Sequence, residues 1–165
     1  MILALDCATK TGWCLMGTSA GDKIPSPAYS IALKKLGVVE SGVQDFSKTR
    51  GESNGAMFLR FRRWLLMMVT DYPVSLVVYE QAHHRGGAST EIGVNLTGRV
   101  QEICSECKIE YTTVHTGTLK KFATGSGTAS KDDMIKAAKK LLGREPIDDN
   151  EADAVLMAKW ASENY

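Results

Sequence analysis

No sign of charge dominates this chain, no apolar run is long, and cysteine is sparse. Twenty Lys and Arg stand against 19 Asp and Glu, a formal net charge of +1. Bulk charge is therefore excluded as the means of binding nucleic acid or a membrane surface, and any basic patch has to come from local clustering. No hydrophobic stretch approaches the ~20 residues that cross a bilayer, and the first residues lack the basic flank of a secretion signal. A cytoplasmic protein, in a bacterial cell or a virus-infected host cell, is expected. The four cysteines (Cys7, Cys14, Cys104 and Cys107) form no disulfide-type framework. Cys104-Ser-Glu-Cys107 has the spacing of half a zinc site, but no second pair completes it, and its helical setting points to core packing. Repeats, linkers and low-complexity segments are also missing, so residues 1–165 read as one domain. The composition, 44% hydrophobic and 24% charged, supplies enough apolar material for a real core.

What the chain does contain is a strand motif used twice. Ile2-Leu-Ala-Leu-Asp6 is an apolar run closed by a carboxylate, and Val74-Ser-Leu-Val-Val-Tyr-Glu80 repeats that pattern. Near-continuous apolar strands are usually covered on both faces. The first is followed by a turn and by Gly12-Trp-Cys-Leu-Met-Gly17, which suits an antiparallel partner. Residues 18–36 read as a loop with a short strand around Tyr29–Leu33, and Lys35–Phe46 as a third strand. Between the two carboxylate-ended strands, Ala56–Thr70 has apolar side chains at 58, 61, 65 and 68, the helical spacing. A helix joining two strands implies a crossover and a parallel pair. His83-His84-Arg85 opens a basic loop, and a second helix from Ser89 carries Ile92, Leu96, Val100, Ile103 and Cys107 along one face. Lys108–Val114 suits a short strand. Ser130-Lys-Asp-Asp133 starts a helix ending at Gly143, and a last helix follows Pro146. The order βββ-α-β-α-β-α-α is that of a mixed α/β domain.

The chemistry to be expected follows from where the acids fall. Parallel pairing sets Asp6 beside Glu80, and the last helix adds Asp149 and Asp153 one turn apart, with Asn150 between them. Carboxylates that converge without an interposed cation repel one another, and a divalent metal relieves that repulsion. Oxygen donors suit Mg²⁺ or Mn²⁺ rather than Zn²⁺. Each residue also has a plainer reading: Asp6 as a turn-former, Asp149 as an acid at a helix N-terminus.

Leu5-Asp6 with Gly12, Val78-Tyr-Glu80-Gln81 and Glu151-Ala-Asp153-Ala154, in this order and at this spacing, resemble the three acidic motifs of the RuvC family of Holliday junction resolvases. The resemblance covers most of the chain and is weakest over 18–36. It implies a ribonuclease-H-like α/β fold: a mixed five-stranded sheet, three antiparallel strands then two parallel, flanked by helices. It also implies a metal-dependent endonuclease that nicks four-way or branched DNA as a homodimer, leaving 5′-phosphate ends. Asp6, Glu80 and Asp153 would hold two Mg²⁺ ions, with Mn²⁺ a substitute. The fourth ligand is open, because Asn150 stands where the family keeps an acid or a His, and Asp149 could replace it. Lys120 and Lys131 match the family's basic residues near the scissile phosphate, and Lys121, His83, His84 and Arg85 would contact DNA. The helix over 89–107 resembles the family's dimer helix, although packing on its own sheet explains its apolar face equally well. Two other functions remain open: an RNA-processing nuclease of this fold, and a nucleic-acid-binding protein with impaired catalysis.

Overall fold

The structure, a computed structural model, describes residues 1–17, 37–81 and 87–165. The expected strand around Tyr29–Leu33 and the His83, His84 and Arg85 loop lie outside the described residues. Five strands form one sheet in the order β3-β2-β1-β4-β5: β1 (Ile2–Asp6), β2 (Lys10–Met16), β3 (Val38–Asp45), β4 (Leu76–Glu80) and β5 (Glu110–Val114). The first three are antiparallel neighbours and β1-β4-β5 are parallel. This is the mixed sheet anticipated above. The β1–β2 turn is closed by the Thr11 hydroxyl, which donates to the Ala8 carbonyl at 2.7 Å.

Among the described residues five helices accompany the sheet: α1 (Asn54–Asp71), α2 (Ala88–Cys107), α3 (Thr116–Thr124), α4 (Lys131–Leu142) and α5 (Asp149–Asn164). Several boundaries move for local reasons. Helix α1 starts two residues early because Ser53 caps it, its hydroxyl accepting from the Ala56 N–H at 3.2 Å. Strand β5 begins at Glu110 because Lys108 is taken up as the left-handed C-cap of α2, with φ of 56°. Helix α3 is an element that periodicity did not separate: in nine residues it buries only Leu119, too little to show a repeat. Helix α4 opens with the anticipated capping box of Ser130 and Asp133 and stops at Gly143.

The strands' alternation divides the core in two. Leu3, Leu5, Leu15, Val77 and Tyr79 face α1 and α2, where Phe61, Leu65, Leu96, Val100 and Ile103 pack. Ile2, Ala4, Cys14, Leu76 and Val78 face the opposite way, against Val155, Ala158 and Ala161 of α5 and Met134 and Ala138 of α4. The buried stripe of α2 uses Cys104, and Cys107 is exposed. The core-packing reading holds for Cys104 alone, and Cys107, expected on the same apolar face, falls outside it because the helix's last turn runs past the sheet. The apolar face of α2 is occupied by its own sheet.

Candidate active site

The same alternation fixes where the acids point. Asp6 shares parity with Ile2 and Ala4, and Glu80 with Leu76 and Val78, so both carboxylates lie on the α5 face of the sheet. The parallel register pairs Leu5 with Tyr79, which makes Asp6 and Glu80 neighbours at the carboxyl ends of β1 and β4. On the other side of β1, Asp6 is in register with Gly12 of β2. The role of this glycine is clearer in three dimensions than in sequence. Its missing side chain lets the first turn of α5 rest directly on β2. A Cβ there would run into the Asn150 carbonyl and come within 2.8 Å of the Glu151 nitrogen. Asp153 then sits at the acidic end of the sheet.

The electrostatics identify a cluster in which like charges face one another. Burial, reinforced by Asp153, Glu80 and Asp149, pushes the Asp6 carboxyl well above the ordinary carboxylate range. Burial, with Glu80 and Asp149, lifts Asp153 to about 6, against the pull of Lys120 and Lys131. One oxygen of Asp153, Oδ1, is buried with no hydrogen-bond partner. Such a group costs free energy unless something arrives to satisfy it. Two other acids are held by neighbours: Glu80 accepts from the Thr116 hydroxyl at the start of α3, and Asp149 is paired with Lys131 of α4. That hydrogen bond and charge hold Asp149 below the ordinary range and raise Lys131.

The sequence-derived candidates thus separate into groups. Asp6, Glu80, Asp149 and Asp153 come within electrostatic reach of one another, and Lys120 and Lys131 reach Asp153. Asn150 lies beside them, but its side-chain amide donates to Asp148 at 3.1 Å, so only its side-chain oxygen is left to face an ion. Lys121 is exposed and lines a separate shallow groove with His115, Thr118 and Phe122. The basic residues between Lys120 and Arg144 are not all free of acids, since Lys139 pairs with Glu145 and Arg144 with Glu151. Residues that the sequence reading passed over also shape the site: Thr116, which orients Glu80; Asp148, the N-cap of α5; and Glu151, fully buried two residues before Asp153. A charged residue inside an apolar helix body was the available signal for Glu151. Three cysteine thiols are held protonated, since burial raises Cys7 and Cys14 strongly and Cys104 to about 12.

The donor set fits a hard dication. It is oxygen-only, mutually repelling and left with a buried unsatisfied carboxylate oxygen, all of which a divalent cation relieves. Among the described residues, however, no three acidic, His or Cys side chains converge into a ready-made cage. Glu80 and Asp149 are turned to Thr116 and Lys131 instead.

No protein-family model matches the sequence, and no curated protein is similar to it at the level of sequence. Solved structures are similar in three dimensions. The Thermus thermophilus RuvC structure superposes with a TM-score of 0.73 at 17% identity, covering 95% of this chain and 90% of that one. T. thermophilus RuvC in complex with Holliday junction substrate gives 0.77 at 15% identity, over 99% and 95%. The yeast mitochondrial Holliday junction resolvase Ydc2 gives 0.62 at 11% identity, over 98% and 78%. The chain has the ribonuclease-H-like fold of the RuvC resolvases.

Proposed function

We propose that this protein is a divalent-metal-dependent endodeoxyribonuclease that cuts four-way or other branched DNA junctions. The observation that carries the reading is Asp153, whose buried, unpartnered Oδ1 stands among acids at the carboxyl ends of β1 and β4. A purely structural carboxylate would have been given a donor. The fold shared with RuvC, one example of which is bound to Holliday junction DNA, directs the choice of substrate.

Asp6, Glu80 and Asp153 are the residues to hold Mg²⁺, with Asp149 or the Asn150 side-chain oxygen as the remaining donor. When bound, Mg²⁺ supplies a Lewis acid for the scissile phosphate and lowers the pKa of an attacking water. The protein's own contributions are positional. The β1–β4 pairing sets the first two carboxylates side by side, and α5 brings the third from above. Thr116 orients Glu80 through its hydroxyl. Lys120 and Lys131 offset negative charge next to Asp153 and stand ready for phosphate oxygens in the transition state. Lys131 must release Asp149 if Asp149 is to serve as a ligand, so the ion pair competes with metal entry. Two copies of the chain would place paired nicks in a junction of matching two-fold symmetry.

The test is incubation of the protein with a labelled four-way junction and Mg²⁺, beside plain duplex and RNA hairpins. Junction-selective nicking that disappears in Asp6→Asn is expected. No junction cleavage by the parent chain, or cleavage undiminished in Asp6→Asn, would overturn the assignment. The Lys131–Asp149 pair and the neutral Asn150 favour one second reading, a branched-DNA binder with impaired catalysis. Junction binding without cutting, in either Mg²⁺ or Mn²⁺, would select it.

A further inference from the structure

Glu151 is fully buried, and its carboxylate is held by partners on β3 and on the loop that leads into α5. Its carboxylate receives the Arg144 guanidinium as a fork, Nη2 to Oε1 at 2.6 Å and Nη1 to Oε2 at 3.1 Å. The Ser41 hydroxyl of β3 donates to Oε1 at 2.6 Å, and the Ile147 N–H donates to Oε2 at 2.5 Å. Arg144 also donates to Ser41 Oγ at 3.2 Å and to the Glu145 carbonyl at 2.9 Å. One carboxylate therefore fastens three pieces of chain: the outer strand β3, the loop between α4 and α5, and the first turn of α5. That turn carries Asp148, Asp149 and Asn150 and leads directly to Asp153. On the same face of the sheet the turn rests on Gly12, where no side chain can be inserted without displacing the Asn150 carbonyl.

We infer that Ser41, Arg144 and Glu151 are positioning residues for the metal centre, with Gly12 as the stop against which they draw α5. Paired and hydrogen-bonded on all sides, Glu151 is already spent and contributes no ligand. Its work is to fix the height and rotation of the α5 N-terminus, and with it where Asp153 stands relative to Asp6 and Glu80. A bidentate Arg–carboxylate pair is directional as well as attractive, which suits this purpose. Hydrogen bonds made directly to metal ligands change metal affinity by about 10–100-fold when removed, and a clamp that acts through the helix carrying the ligand is expected at the low end of that range. The inference rests on the metal-dependent reading proposed above.

The experiment is a titration of Mg²⁺ and of Mn²⁺ into the full chain without DNA, read by calorimetric heat and by the metal-induced shift in melting temperature. The parent is compared with Ser41→Ala, Arg144→Lys, Glu151→Gln and Asp6→Asn, with circular dichroism as the check on folding. Glu151→Gln is expected to weaken metal binding about tenfold while still melting cooperatively. Arg144→Lys, which keeps the charge but loses the fork, should fall between it and the parent, and Ser41→Ala should show the smallest loss. A merely structural role would lower every melting temperature and leave the affinity of the folded chain unchanged. Unchanged affinity in Glu151→Gln and Arg144→Lys, with binding abolished in Asp6→Asn, would overturn the positioning role alone. Should Glu151→Gln fail to fold, Ser41→Ala and Arg144→Lys decide by the same criterion. A parent chain that binds neither ion would instead overturn the metal-dependent reading, and this inference with it.

Discussion

Glu151 and Asp153 lie two residues apart on α5, both carboxylates drawn out of water, and the structure treats them in opposite ways. Glu151 has a guanidinium, a hydroxyl and a backbone N–H for its oxygens. Burial pushes its pKa up, but those donors outweigh burial and hold it below the ordinary value. Asp153 keeps an oxygen with no partner, and burial together with Glu80 and Asp149 raises it to about 6. Burial is common to both, so burial does not distinguish a structural acid from a functional one. The supply of donors does: a site meant for a cation leaves its acids unsatisfied until the cation arrives.

The largest effect should come from breaking the satisfied member of the pair. Arg144→Ala leaves Glu151 charged and buried without its fork, the situation in which truncating one partner of an ion pair is most costly. Because Arg144 is itself about half exposed (47%, against 0% for Glu151), water can partly replace it. A loss of about 3 kcal/mol, the low end of the range for buried pairs, is therefore expected. Urea unfolding of the metal-free protein measures it, and a loss below about 1 kcal/mol would mean that the pair behaves as a surface salt bridge.

Gly12→Ala is next. The added methyl meets backbone atoms of Asn150 and Glu151, which cannot swing aside as a side chain would. Overpacking of this kind costs about 2 kcal/mol. It should also lift the α5 turn away from β2, so metal affinity and junction cleavage fall together. Full activity with an unchanged melting temperature would show that α5 is not seated on β2 as described.

These two positions mark the limit of what the sequence disclosed. The antiparallel opening and the parallel pairing of the two carboxylate-ended strands could be derived, because a helix between two such runs implies a crossover. Asp6, Glu80 and Asp153 followed from the same strands and from an acid set among Ala and Val. Helix α3 did not, having one buried side chain. The part played by Gly12 depends on a residue 138 positions away in the chain, and the Glu151 clamp on Ser41, 110 positions away. Neither leaves a periodic signal. Which acids are already engaged, Glu80 by Thr116 and Asp149 by Lys131, is likewise a property of packing.

The unsatisfied member should respond with the opposite sign. Asp153→Asn removes a charge that the folded state holds at a disadvantage. The metal-free chain is expected to gain about 1–2 kcal/mol at pH 7, less than the full shift implies because water screens a carboxylate that is only partly buried. Junction cleavage is expected to be lost in the same variant. Saturating Mg²⁺ should reverse the order of stability, since the parent gains binding free energy that the variant lacks. Stability unchanged or lowered in the metal-free variant would mean that Asp153 is paired after all.

The smallest and most diagnostic effect is the pH dependence, where the two carboxylates pull apart. A carboxyl raised in the folded state binds its proton more tightly there than in the unfolded chain, so stability rises as pH falls from 7 through about 6. Glu151 is lowered, so its contribution is present above the unfolded value of about 4.5 and is lost as pH falls through the lower folded value. The Asp153 contribution keeps growing down to its unfolded value of 3.8, so metal-free protein should melt highest near pH 4, with lower values at pH 7 and at pH 3. Asp153→Asn should make the upper limb shallower, the remainder belonging to Asp6, and leave the acid limb in place, whereas Glu151→Gln should make only the acid limb shallower, the remainder belonging to lowered acids such as Asp149. With Mg²⁺ present the upper limb should invert, because the ion requires the ionised carboxylates and protons displace it as pH falls. Differential scanning calorimetry across pH 3–8, with and without Mg²⁺, separates these curves. An upper limb undiminished in Asp153→Asn would assign it to Asp6 alone, the other acid that burial and its neighbours raise.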